Sequence, residues 1–252
     1  MSSNEVGRTE LTAQNVTVAE IAKMLDHSLL KPELTVDEVR AGCEQAGHYQ
    51  VMSVCVRPSD VPLAVELLSG TGVRVGTVIG FPHGSTSTEI KAAEVRLALS
   101  QGATEFDMVQ AIGRLRSGDQ AYVEADIRAV VEAADGLIVK VILENGYLTD
   151  AQKVVGCQIA ERAGAAFVKT STGFAPTGAT MADLALMRST VSEGVGVKAA
   201  GGVRSLDTLL AMANIGVTRF GATASPAILD DLEHRQKYGE PLGEAVAPGN
   251  DY

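Results

Sequence analysis

The sequence predicts an α/β fold, specifically a single-domain (β/α)8 barrel (TIM barrel). Two observations carry this. The chain has 252 residues, the usual length of one such barrel. Short apolar runs alternate with longer amphipathic stretches along its whole length, the pattern of a parallel sheet whose strands are linked by helices. A third observation, four ionisable residues spaced at about one repeat inside the apolar runs, turns the fold into a statement about chemistry.

In chain order the expected strands are Lys23–Leu30, Val51–Val56, Arg74–Ile79, Thr104–Val109, Leu137–Leu143, Ala166–Thr170, Val195–Ala199 and Thr218–Gly221. Expected helices cover Thr86–Gln101, Ala121–Ala134, Asp150–Ala163, Ala179–Val191 and Leu206–Ile215. Ser87 ahead of Glu89, and Thr149 ahead of Asp150, are helix-start signals. An open doubly wound sheet is the alternative, weakened because no GxGxxG follows the first strand. The expected division is an N-terminal extension or helix over 1–19, the barrel over 20–236 and a mobile, Gly- and Pro-containing tail over 237–252.

Composition narrows the function classes. Hydrophobic residues make up 46% of the chain, enough for a core without metal or disulfide staples. Cys43, Cys55 and Cys157 are an odd set with no CxxC spacing, which fits a reducing cytoplasm. The N-terminus lacks the basic-then-apolar order of a signal peptide, and no apolar run is long enough to cross a bilayer. A net charge of −10 argues against nucleic acid, whose phosphates need many cations. The four histidines, His27, His48, His83 and His234, show no ligand-like spacing, so neither metal nor other cofactor is expected.

A barrel strand packs apolar side chains inward and outward, so charge in mid-strand stands out. It occurs in Phe106-Asp107-Met108, Val139-Lys140-Val141, Val168-Lys169-Thr170 and Val197-Lys198-Ala199. Lys140, Lys169 and Lys198 are 29 residues apart, and Asp107 precedes Lys140 by 33. Strand alternation then turns all four toward the barrel axis if their neighbours face the helices. A single such lysine is ordinarily a strand-end residue reaching solvent or pairing with a carboxylate. Several ammonium groups around one aspartate cannot all stay protonated in a dry interior, because burial and like charge both lower a lysine pKa. A neutral buried amine is a Schiff-base nucleophile. Lys140 is the member most readily conceded to structure. Glycine-bearing turns follow the last strands: Thr172-Gly173, Gly201-Gly202 and Gly221-Ala222-Thr223. Loops of this kind bring backbone N–H groups close to a phosphate.

The segments Leu25-Asp26-His27, Ser53-Val54-Cys55-Val56, Glu105-Phe106-Asp107-Met108-Val109, Val168 to Gly173, Lys198 to Arg204 and Arg219-Phe220-Gly221 resemble deoxyribose-phosphate aldolases. The resemblance runs from about residue 20 to about 235, with the motifs in order. It implies a metal-free class I aldolase interconverting 2-deoxy-D-ribose 5-phosphate with D-glyceraldehyde 3-phosphate and acetaldehyde. It further implies Lys169 as the Schiff-base lysine, Lys198 as the neighbour that lowers its pKa, and Asp107 as an acid/base acting through water. Thr172 and Asp26 resemble substrate-site or relay residues, and Cys55 a cysteine near the site that is not the nucleophile. Gly173, Gly201, Gly202, Gly221 and Thr223 would cradle phosphate. Ala224 departs from the pattern, since the family often carries a second hydroxyl there. The terminal Tyr252 resembles a tyrosine that helps exchange protons at the enamine carbon in some members. A homo-oligomer, with a dimer favoured, is expected. The alternatives are another Schiff-base sugar-phosphate aldolase or transaldolase, and a catalytically silent sugar-phosphate-binding barrel.

Overall fold

The computed structural model describes residues 10–242. Eight parallel strands close into one barrel in chain order: β1 Leu25–Leu29, β2 Ser53–Val56, β3 Arg74–Ile79, β4 Glu105–Val109, β5 Ile138–Ile142, β6 Phe167–Lys169, β7 Gly196–Ala200 and β8 Arg219–Ala222. Each falls within one residue of its expected run except at the N-terminal ends of β1 and β2, where the run begins two residues early. The helices are α1 Val18–Ala22, α2 Val36–His48, α3 Val61–Leu68, α4 Thr88–Ser100, α5 Ile112–Arg116, α6 Gln120–Ala133, α7 Asp150–Arg162, α8 Met181–Thr190, α9 Leu206–Asn214 and α10 Ser225–Tyr238.

Local sequence explains where the helices begin. Thr17, Thr35 and Thr149 head capping boxes with Glu20, Glu38 and Gln152, each satisfying two otherwise orphaned N–H groups. Ser87 precedes α4 as expected, but its side chain makes no cap hydrogen bond. Outward-facing strand residues such as Val54, Phe106, Val141, Val168, Val197 and Phe220 are fully buried under these helices and form the main core.

The residues ahead of the barrel are tied to it. Leu11 exchanges hydrogen bonds with Asn214 of α9, and Gln236 of α10 donates to the carbonyls of Ala13 and Val16. The helix α1 straddles residue 19, and α10 continues two residues past 236 before Gly239 ends it in the left-handed region at φ 80°.

Candidate active site

The strand register places the interior charges at adjoining levels. Asp107 on β4 pairs in register with Lys140 on β5, Lys169 on β6 with Lys198 on β7, and Lys198 with Arg219 on β8. All are at most 5% exposed, as are Asp26 on β1 and Glu105 on β4. The expected quartet of Asp107, Lys140, Lys169 and Lys198 does meet at the axis. It is part of a larger network, because Asp26, Glu105 and Arg219 also face inward.

The three lysines differ in how many carboxylates they touch. Lys140 Nζ reaches three: Glu105 at 2.6 Å, Asp107 at 2.9 Å and Asp26 at 3.5 Å. Lys198 Nζ reaches two, Asp26 at 2.5 Å and Asp107 at 2.7 Å. Among the described residues Lys169 Nζ contacts one carboxylate, Asp107, at 2.7 Å. Arg219 closes the lower end, bonded to Asp26 at 2.6 Å and Glu105 at 3.1 Å. Among the described residues in contact on the axis, four buried bases therefore face three buried acids. With every group ionised these contacting groups would carry one more positive charge than negative in a medium that solvates charge poorly, the buried Glu144 carboxyl being the next acid toward Lys169. Arg74 also touches Glu105, but its side chain is 49% exposed and water screens it.

The lysine pKa is lowest where compensation is least. Burial pulls Lys169 below the ordinary lysine value; Asp107 opposes this and the Lys198 charge reinforces it. Lys198 is equally buried, yet Asp107 and Asp26 outweigh the desolvation and raise it. Lys140 is raised further still, with Asp107, Asp26 and Glu105 overcoming burial. Burial would raise Asp107, but the three lysines hold it well below the carboxylate range; Lys140, Lys198 and Arg219 do the same for Asp26. The single oxygen Oδ2 of Asp107 accepts from both Lys169 and Lys198.

Above Lys169 opens a cavity whose lining includes Thr172, Gly201, Gly202, Gly221 and Thr223, as expected of a phosphate cradle. Gly173 is absent from that lining, while Ser28 and Arg204, not singled out from the sequence, contribute to it. Gly201, at φ 81°, lies so close to Gly178 that an added Cβ would sit 2.9 Å from the Gly178 Cα. At Gly221 a side chain would press on Ala200 and on Lys198 Cε at 3.3–3.4 Å. Cys55 sits beside the network in a small apolar cluster with Leu30 and Val78, backed by Phe81. Burial, reinforced by Asp107, pushes its thiol up to about 11, so it is not poised as a nucleophile.

The residues that sequence reasoning missed carried a signal. Glu105 lies two positions before Asp107, and Arg219 two before Gly221, so the same alternation marks both as inward-facing. Glu144 was not readable in this way. It follows β5, is 1% exposed, and accepts hydrogen bonds from the backbone N–H and hydroxyl of Thr172. Burial raises its carboxyl, with the Thr172 bonds and Lys169 pulling the other way. Tyr252 lies outside the described residues.

Known proteins share this arrangement of chain. Residues 14–228 match the DeoC/LacD family aldolase model. The deoxyribose-phosphate aldolase of Streptococcus gordonii is 51% identical over 210 residues, covering 83% of this chain and 96% of the relative. That of Clostridium perfringens is 50% identical over 212 residues, covering 84% and 95%. Among solved structures, the tetrameric deoxyribose phosphate aldolase of Aeropyrum pernix superposes with a TM-score of 0.80 at 30% identity, covering 86% of this chain and 92% of that one. An aldolase designated QR15 gives 0.83 at 32% identity, covering 87% and 99%. A closed barrel with a lysine cluster on its axis, matched over this much of its length, identifies the chain as a member of the DeoC/LacD family of aldolases.

Proposed function

We propose that the protein is a class I deoxyribose-phosphate aldolase that cleaves 2-deoxy-D-ribose 5-phosphate through an imine on Lys169, with Lys198 and Asp107 moving protons. The observation that carries the assignment of Lys169 is the graded pairing of the three lysines. Only Lys169 has a single carboxylate partner, lines the cavity, and is pulled toward the neutral amine.

The reaction follows from that placement. The Lys169 amine attacks the C1 aldehyde, and the carbinolamine loses water, with a proton supplied from the Lys198–Asp107 pair. The resulting iminium draws electrons from the C2–C3 bond. As the C3 hydroxyl gives up its proton, that bond breaks, releasing glyceraldehyde 3-phosphate and leaving a neutral enamine. Protonation at C2 and hydrolysis free acetaldehyde and return the amine. Because both nitrogens share Asp107 Oδ2, a proton passes between the two lysines through one carboxylate oxygen. Gly201, Gly202, Gly221 and Thr223 hold the phosphate with backbone and hydroxyl donors beside Arg204. Asp26 and Lys140 hold the charge of the network beneath, and Cys55 packs its flank.

The test is borohydride reduction in the presence of acetaldehyde, followed by peptide mapping. A reduced two-carbon adduct on Lys169 is expected. An adduct on Lys140 or Lys198, or none on an enzyme that cleaves substrate, would overturn the assignment.

The family resemblance and the small, diffusible substrates favour a cytoplasmic enzyme, assembled as a homo-oligomer with a dimer as the simplest form. No described helix is long and apolar enough to cross a membrane. Sedimentation of the purified chain tests the assembly.

A further inference from the structure

Glu144 occupies an unusual place for a charged residue. Its backbone is left-handed, at φ 58° and ψ 64°, a conformation uncommon for a residue with a side chain. The chain on either side is pinned to β6 and the turn after it: Leu143 N donates to the carbonyl of Lys169 at 2.9 Å and Asn145 N to that of Thr170 at 3.0 Å. The turn thus delivers a buried carboxylate to the residue three positions beyond Lys169. Both carboxylate oxygens face Thr172 N, at 3.2 and 3.3 Å, and Oε2 also accepts the Thr172 hydroxyl proton.

The consequence is read by counting. A threonine hydroxyl has one proton and two lone pairs. The proton is committed to Glu144, and one lone pair accepts from Phe174 N–H at 3.0 Å. What Thr172 has left for the cavity it lines is one lone pair. Of the two hydroxyls on the open-chain substrate, the C3 hydroxyl must give its proton to the base during cleavage. The C4 hydroxyl, on the phosphate side, is the one free to donate to Thr172.

We infer that Glu144 is a positioning residue that fixes Thr172 as a hydrogen-bond acceptor toward the substrate, so that the site selects aldehydes carrying a hydroxyl next to the carbonyl carbon. The inference rests on the aldolase reading above and adds to it a device for selectivity. A carboxylate is suited to this task because it can only accept, whereas an amide could bond Thr172 with either polarity. A site whose polar group is matched to a substrate hydroxyl discriminates against the compound that lacks it.

The experiment runs the reaction toward synthesis, with acetaldehyde as donor and two aldehyde partners, D-glyceraldehyde 3-phosphate and 3-phosphooxypropanal, which lacks only the 2-hydroxyl. The wild-type protein is expected to prefer the hydroxylated partner in kcat/KM by about tenfold or more, the worth of one hydrogen bond. Glu144→Gln lets the amide donate to Thr172 Oγ1 and frees the hydroxyl proton. The preference should fall below about threefold, through a higher KM for glyceraldehyde 3-phosphate, while the rate with 3-phosphooxypropanal changes little. Thr172→Val should lose the preference whatever its effect on the rate with either partner, and Thr172→Ser should keep it. If Glu144→Gln fails to fold, the Val and Ser pair at 172 decides. Solvent deuterium exchange into acetaldehyde needs no second aldehyde and reports the Schiff-base reading alone. A wild-type protein that does not exchange sinks that reading. One that exchanges but does not discriminate, or a folded Glu144→Gln with wild-type preference, overturns only the role of Glu144.

Discussion

Lys140 and Lys169 are the same residue type on neighbouring strands, both facing the barrel axis and both within 3 Å of the Asp107 carboxylate. One is held firmly protonated and the other is driven toward neutrality. The difference lies in what surrounds them. Lys140 is deeper and shares Asp26 and Glu105, while Lys169, among the described residues, has Asp107 alone within ion-pair distance and meets the cavity. Burial by itself, which is equal for the two, does not pull a lysine toward the neutral amine. Burial with too few anions does.

Substitutions can break this comparison, and the largest effect belongs to the upper lysine. Lys169→Ala should lower cleavage of deoxyribose 5-phosphate by at least about four orders of magnitude and abolish borohydride trapping. Its urea midpoint should stay level or rise, since the least compensated buried amine of the network goes with it. Residual cleavage within tenfold of wild type in a folded variant would end the assignment.

Lys198→Leu should fold and lose about 10²–10⁴-fold in rate, the usual share of a proton carrier. It also removes the nearby cation that pulls Lys169 down. The neutral amine is the reactive form, so the acidic limb of the kcat/KM profile should move to higher pH. An unmoved limb at near-normal rate would make Lys198 structural.

Lys140→Met takes a charge from the lower layer without touching the cavity. Removing one partner from a buried ion-pair network costs roughly 3–5 kcal/mol, which chemical denaturation would register. Three bases would then face three acids, so Lys169 could stay protonated and the acidic limb should again shift upward. Unchanged stability and an unchanged limb would mean that the two layers are not coupled.

The smallest effect is expected at the mouth. Ala224→Ser restores a second hydroxyl beside Thr223 at the start of α10, where no side chain caps the helix. KM for deoxyribose 5-phosphate should fall by a few-fold, about one hydrogen bond. A higher KM would show that residue 224 faces away from the phosphate.

The barrel and four members of the axial cluster were legible because strand periodicity leaves no ordinary place for Asp107, Lys140, Lys169 and Lys198 between apolar neighbours. Asp26, Glu105 and Arg219 obey the same alternation but sit near strand starts, where a charge looks like an end residue reaching water. The ranking of the lysines was not legible, since it depends on contacts such as Lys198 to Asp26, residues 172 positions apart. Glu144 was hidden for a different reason. Its role comes from a left-handed turn and a partner 28 residues on, which no periodicity encodes.

The shared carboxylate also bears on timing. When Lys169 is neutral, the cations Lys140, Lys198 and Arg219 equal in number the anions Asp26, Glu105 and Asp107 that they touch. On the proposed path the iminium restores a positive charge in excess of those three anions, in surroundings where charge is poorly solvated. The steps that follow, bond cleavage or loss of a methyl proton, each convert that cation to a neutral enamine. The barrel interior is therefore set against its own first intermediate, and the discomfort of the iminium becomes part of the driving force for breaking the carbon–carbon bond.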